Sequence, residues 1–175
     1  MNLQNNDKIT IRDVRFEDAA AVLSLQREVV GEGEFFIAVA AEYHKTIEEQ
    51  RDQIRSIIEN ERETMYVADI DGQIVGLIVF SSQNRKRLSH TGSISMMIKK
   101  EYRNMGVGKL LLLKLLAWAE QHPLLEKVCL GVFSTNHRAI ALYKKMGFVE
   151  EGRKVREFKL GDNEYIDDVL MYKLV

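Results

Sequence analysis

Two short stretches carry residue types that chemistry needs, at spacings a fold can use. The first is Arg103-Asn104-Met105-Gly106-Val107-Gly108, set between an apolar run ending at Ile98 and a longer one beginning after Lys109. A helix that opens on glycines presents unpaired backbone N–H groups and the positive end of its dipole. Such an end binds anions, phosphate above all. The second stretch covers residues 134–148, where Asn136, Ala139 or Ile140, and Tyr143 share one helix face by the i, i+3/i+4, i+7 rule. An amide and a phenol together beside a phosphate-binding turn exceed what core packing requires.

Two better-known phosphate motifs fail on single residues. A dinucleotide fingerprint needs a third glycine at position 111, which is Leu111. A P-loop needs Ser or Thr after Gly-Lys, but Gly108-Lys109 is followed by Leu110 and position 103 is Arg103, not glycine. What remains is Arg-x-x-Gly-x-Gly after an apolar strand, a pattern that alone also describes a plain structural turn.

The elements that must position these residues follow from periodicity and turn chemistry. Residues 8–14 alternate loosely and predict a strand. Residues 17–30, with Val22, Leu25 and Val29 at helical spacing, predict an amphipathic helix ended by Gly31 and Gly33. Thr46 and Glu49 have the spacing of a capping box, which predicts a second helix to about Asn60. Asp71-Gly72 joins two β-type runs, 64–70 and 73–81, as a hairpin. Strands at 90–98 and 126–133 flank the long helix after the glycine turn, and Pro123 closes that helix region. A helix over 136–146 ends at Gly147. Two last strands bracket Gly161-Asp162-Asn163. The order β-α-α-β-β-β-α-β-α-β-β predicts an α/β (α+β) domain over residues 1–175. Its central sheet is mixed and mostly antiparallel, with helices on both faces and one right-handed parallel crossover between 90–98 and 126–133. Ligands in such sheets sit at the carboxyl ends of parallel strands, where the Arg103–Gly108 turn falls.

Composition narrows the function classes. The chain has 175 residues and a formal net charge of −1, so the basic footprint of a nucleic-acid binder is missing. No apolar run approaches the ~20 residues of a membrane span, and residues 1–8 are too polar for a signal peptide. One cysteine, Cys129, excludes an internal disulfide and a multi-cysteine zinc site, and it reads as a core thiol. No metal is expected, a cytoplasmic protein is the default, and a homodimer is expected only from the general frequency of twofold assemblies. The Arg85-Lys86-Arg87 run reads as a solvated loop.

The two motifs, Arg-x-x-Gly-x-Gly and Asn-x-x-Ala-x-x-Leu-Tyr-x-x-x-Gly-Phe, together resemble the GCN5-related N-acetyltransferase (GNAT) superfamily, and the element order agrees over nearly the whole chain. The resemblance implies that acetyl-coenzyme A lays its pyrophosphate on the turn amides of Asn104, Met105, Gly106, Val107, Gly108 and Lys109, with Arg103 also in the cofactor site. Its pantetheine arm would run like an extra strand along Met96, Met97 and Ile98, in a slot where that strand splays from its parallel neighbour. Asn136 and Ala139 would contact the arm, and Tyr143 would lie near the sulfur.

The reaction so implied is direct attack of a neutral primary amine on the thioester. The Ile98 backbone N–H would hold the oxyanion and Tyr143 would protonate the leaving thiolate. Ribosomal-protein N-terminal acetyltransferases carry a glutamate on the strand before the Asn…Tyr helix, and the matching residue here is Gly131. That leaves the base open among His90, Glu34 and an ordered water. Glu28, Glu32 and Glu34 stand where the superfamily often builds its acceptor wall, and Asp167-Asp168 in the closing hairpin are further acids able to attract an amine. The function expected is acetyl transfer to a small-molecule amine, polyamine or amino-acid-like. Alternatives are a protein or peptide acceptor of the ribosomal-protein type, or a non-catalytic acetyl-coenzyme A sensor.

Overall fold

The computed structural model describes residues 9–175; the polar stretch 1–8, including the first residue of the strand expected at 8–14, lies outside them. In chain order the elements are β1 (Thr10–Asp13), α1 (Ala19–Gly31), α2 (Ile47–Glu59), β2 (Thr64–Ile70) and β3 (Gln73–Ser82). Then come β4 (Thr91–Ile98), α3 (Val107–Gln121), β5 (Lys127–Phe133), α4 (His137–Lys145), β6 (Val149–Gly161) and β7 (Glu164–Leu174). This is the order the sequence predicts. The strands form one sheet in the order β1-β2-β3-β4-β5-β7-β6, antiparallel except for β4 and β5. Among the described residues no helix is long and apolar enough to cross a membrane.

Local chemistry sets the boundaries. The first helix begins two residues later than expected, after a single 3-10 turn at Phe16–Asp18. The Asp18 carboxylate there is held by the Arg12 guanidinium at 2.7 and 3.0 Å and by the Arg15 N–H at 2.7 Å. Thr46 caps α2 reciprocally: its hydroxyl accepts from the Glu49 N–H at 3.2 Å, and the Glu49 carboxylate accepts from the Thr46 N–H at 2.7 Å. Asp71 and Gly72 both take left-handed φ, 50° and 84°, as the tight β2–β3 hairpin requires. Gly147, at φ 89°, ends α4 while its N–H reaches the Lys144 carbonyl and the Phe148 N–H reaches that of Tyr143, both at 3.0 Å. Those two bonds make a Schellman cap and fix where Tyr143 sits.

Strand alternation divides the core into two layers. Met65 and Val67 of β2 and Leu77 of β3 face α1 and α2, where Val22, Leu25, Val29, Ile54 and Ile57 meet them. Tyr66, Ala68, Ile78 and Phe80 face the other way, onto Val107, Leu111, Leu112, Leu115 and Ala119 of α3. Tyr143 and Phe148 join this second layer. A bulge at Val75 puts Gly76 under the start of α3, where a Cβ would lie 3.2 Å from Val107 and 3.3 Å from both Ile98 and Leu111. Close packing there anchors the first turn of α3 beside the end of β4.

Candidate active site

The site begins where the parallel ladder stops. β4 and β5 pair at Thr91↔Lys127, Gly92↔Val128 and Ser93↔Cys129, and no further, although both strands continue. β4 stays held by β3 as far as Gly76↔Ile98, and β5 by β7 as far as Phe133↔Asp168. Two braced walls therefore enclose a slot, part of a cavity of about 640 Å³ lined by residues 94–98 on one side and 131–133 on the other. That volume lies in the usual range for small-molecule sites. The Lys99 N–H bonds the Val75 carbonyl of β3 at 3.0 Å. Strand amides alternate edges, so Met96 and Ile98 turn theirs the other way, into the slot. The side chain of Met97 lines the cavity from the α1 layer.

The glycine turn closes one end. Asn104 and Gly106 adopt φ of 64° and 86°, and Gly106 caps α3 with no side-chain acceptor. The first helical bond runs from the Leu110 N–H to the Gly106 carbonyl, which leaves the Val107, Gly108 and Lys109 amides free of helical partners. Gly108 is needed for fit: a Cβ would meet Ile98 at 3.0 Å, Leu142 at 3.3 Å and Met96 at 3.4 Å. Val107 is buried and Met105 does not border the cavity, so any contact they make with a ligand comes from the backbone.

The turn is strapped to the end of α1. Arg103 donates through Nε to the Ile98 carbonyl at 3.0 Å and pairs with Glu32 at 2.6 Å. Lys99 pairs with Glu28 at 3.0 Å, and Lys100 with Glu34 at 3.9 Å. The three acids expected to line the acceptor wall are thus engaged with the cations that follow β4, and none borders the cavity. His90, the other residue expected as a base, precedes β4 at the closed end of the sheet and is not among the residues bordering the cavity, eight residues or about 26 Å of strand from Ile98.

α4 supplies the facing side chains. Asn136 Oδ1 accepts from the Ala139 N–H at 3.2 Å and so caps the helix, while its Nδ2 keeps both protons for a ligand in the cavity it lines. The two readings of this Asn, cap and ligand contact, are compatible because its amide has two ends. Tyr143 is 8% exposed, packs on Phe148 at 5.7 Å between centroids, and has no hydrogen-bond partner among the described residues. Burial pushes its pKa up to about 12. Arg138, which the motif did not single out, also lines the cavity; burial and then the neighbouring Arg103 lower its pKa.

The other end of the cavity is apolar and aromatic. Phe35, Phe36, Ile37 and Ala38 line it from the α1–α2 connection, and Tyr43 fixes that segment by donating to Gln26 at 2.7 Å. Phe133 and Phe158 stack from the opposite side at 4.5 Å. Asp168, buried to 8% exposure, is the one carboxylate among the described lining residues. It lies over Gly131, where a Cβ would come within 2.6 Å of Asp168 Oδ1. Cys129 is half-buried, and burial pushes its thiol above the ordinary range, as suits a structural thiol. Among the described residues no cluster of His, Cys, Asp or Glu is placed to hold a metal ion.

The comparisons agree with this geometry. Residues 28–148 match the model of the acetyltransferase (GNAT) family. The L-amino acid N-acetyltransferase AaaT of Escherichia coli is 32% identical over 108 residues, which span 62% of this chain and 66% of that one. An N-alpha-acetyltransferase of Sulfurisphaera tokodaii is 27% identical over 169 residues, 89% of each chain. The crystal structure of a GNAT-family acetyltransferase from Streptococcus pneumoniae superposes with a TM-score of 0.92 at 30% identity, covering 96% of this chain and 100% of that one. With the family model matched over most of its length and a solved member superposing almost throughout, the chain belongs to the acetyltransferase (GNAT) family.

Proposed function

We propose that the chain transfers the acetyl group of acetyl-coenzyme A to the primary amine of a small molecule by direct attack. The observation that carries this reading is the unzipping of β4 from β5 beside a helix whose first amides are free. One end of the cavity offers N–H groups and cations to a pyrophosphate. The slot offers the Met96 and Ile98 amides to the amide-rich pantetheine arm, which Asn136 and Ala139 face from α4. The amine nitrogen bonds the thioester carbon, the C–S bond breaks, and the amine's proton passes to solvent. The Ile98 N–H meets the oxyanion.

Burial keeps the Tyr143 phenol protonated, its pKa pushed up to about 12. It therefore stands as a hydrogen-bond donor to the departing sulfur. A bond of that kind to a charged group contributes about 1.5–3 kcal/mol.

Thiol release from acetyl-coenzyme A, followed across primary amines and peptides with free N-termini, tests the reading. Turnover with small amines is expected. Turnover only with peptides would move the acceptor to protein N-termini, and coenzyme binding with no turnover would make the chain a sensor. No binding of acetyl-coenzyme A would sink the reading altogether.

A further inference from the structure

We infer that Asp168 is the acceptor-binding carboxylate, and that the acceptor is a primary monoamine carried on an apolar body. The inference rests on the acetyl transfer proposed above. Among the described residues four charged ones line the cavity: Arg103, Lys109, Arg138 and Asp168. The three cations border the coenzyme end, and Asp168 alone carries negative charge at the aromatic end. A buried carboxylate without a hydrogen-bonded partner is costly unless a cation meets it. Among the described residues the cation paired with it is Lys154, whose Nζ lies 3.7 Å from Oδ2. That lysine is half-exposed and also shared with Glu157 at 3.3 Å, so its charge is screened by solvent. Oδ1 points over Gly131 and accepts no hydrogen bond among the described residues.

Gly131 makes the arrangement possible. Any side chain there would collide with Asp168 Oδ1, and the glycine clears the floor of the slot two residues beyond Cys129, where the ladder opens. An ammonium paired to Oδ1 would sit beside the slot on the face opposite α4. Its organic body would then meet Phe36, Phe133 and Phe158, which accept apolar surface and offer no second anion. A polyamine would leave further charges unpaired there. A carboxylate is a far weaker base than an alkylamine, so Asp168 recognises and orients the ammonium without taking its proton, which passes to solvent before the neutral amine attacks.

Calorimetry on the full chain saturated with coenzyme A tests this, using 2-phenylethylamine, its neutral analogue 2-phenylethanol, and spermidine. The amine is expected to bind about tenfold or more tightly than the alcohol, and to exceed spermidine. Asp168→Asn should abolish the preference for the amine while leaving acetyl-coenzyme A affinity unchanged, which also reports an intact fold. Gly131→Ala, which displaces the carboxylate without removing its charge, should weaken the amine as well. Amine binding unchanged in Asp168→Asn, tighter binding of spermidine, or no binding of 2-phenylethylamine to the wild type would each overturn the inference. Loss of acetyl-coenzyme A binding in the wild type would instead overturn the proposed function, and this inference with it.

Discussion

Tyr143 shows how a single residue can be read twice. The motif marks it as the acid near the sulfur, and the structure confines it so that its proton is tightly held. Tyr143→Phe keeps the ring against Phe148 and removes only the donor, so kcat should fall about 10- to 100-fold. Coenzyme affinity, measured directly, should change little; an unaltered kcat would remove the phenol from the mechanism. Because burial holds the phenol neutral to about pH 12, its ionisation cannot produce a decline in kcat/KM between about pH 8 and pH 10. An alkaline limb in that range which vanished in Tyr143→Phe would contradict this. Stability carries the same signature. The unfolded phenol loses its proton near 10 and the folded one near 12, so the contribution is full below about pH 10 and is lost as pH rises to about 12. Across that window wild type should therefore lose stability relative to Tyr143→Phe, which has no phenol to ionise, as urea melts at pH 9 and pH 12 would show.

At the scale of elements, the connection from β4 to α3 is held by three ion pairs to the end of α1, and they are not equivalent. Arg103 and Glu32 have side chains only 11% and 15% exposed, whereas Lys100 and Glu34 are 69% and 45% exposed at 3.9 Å. Glu32→Gln should therefore destabilise the chain by roughly 1–3 kcal/mol and weaken coenzyme binding by loosening the turn. Glu34→Gln should change stability by less than about 0.5 kcal/mol. Equal effects of the two, in denaturant melts and coenzyme titrations, would mean the strap is not what orders the turn. The pairs also mark what the sequence could disclose. Thr46 with Glu49, Asp71-Gly72 and Gly147 state local geometry through residues a few positions apart, and each element they bound was legible. Glu32 meets Arg103 across seventy-one positions, and no local pattern distinguishes an acid that will pair from one that will face a substrate. Asp168 was legible only as one of two neighbouring hairpin acids able to attract an amine, for the same reason. Which of the two borders the cavity is decided only when folding sets Asp168 over Gly131.

The whole molecule consists of two braced half-sheets, β1–β4 and β5–β7, whose ladders meet through the three pairs at the root of the slot. Below that root the sheet is continuous; above it, each wall stands on its own partner strands and its own helices. A ligand lying in the slot as an extra strand would join the halves, which makes coenzyme binding a structural event as well as a catalytic one. By mass action, coenzyme A at about 100 times its Kd should stabilise the fold by about 2.7 kcal/mol. For a domain of this size that raises Tm by roughly 5–10 °C. The source of the stabilisation can be located by amide hydrogen exchange. Ser95 and Met97 direct their amides to β3 and are protected already, while Met96 and Ile98 direct theirs into the slot. Coenzyme A should therefore slow exchange at Met96 and Ile98 far more than at Ser95 and Met97. Adenosine 3′,5′-bisphosphate, which has no pantetheine arm, should protect at most the Gly106–Lys109 turn. Exchange at Met96 and Ile98 that ignored coenzyme A, or responded equally to the bisphosphate, would show that the arm does not run along β4.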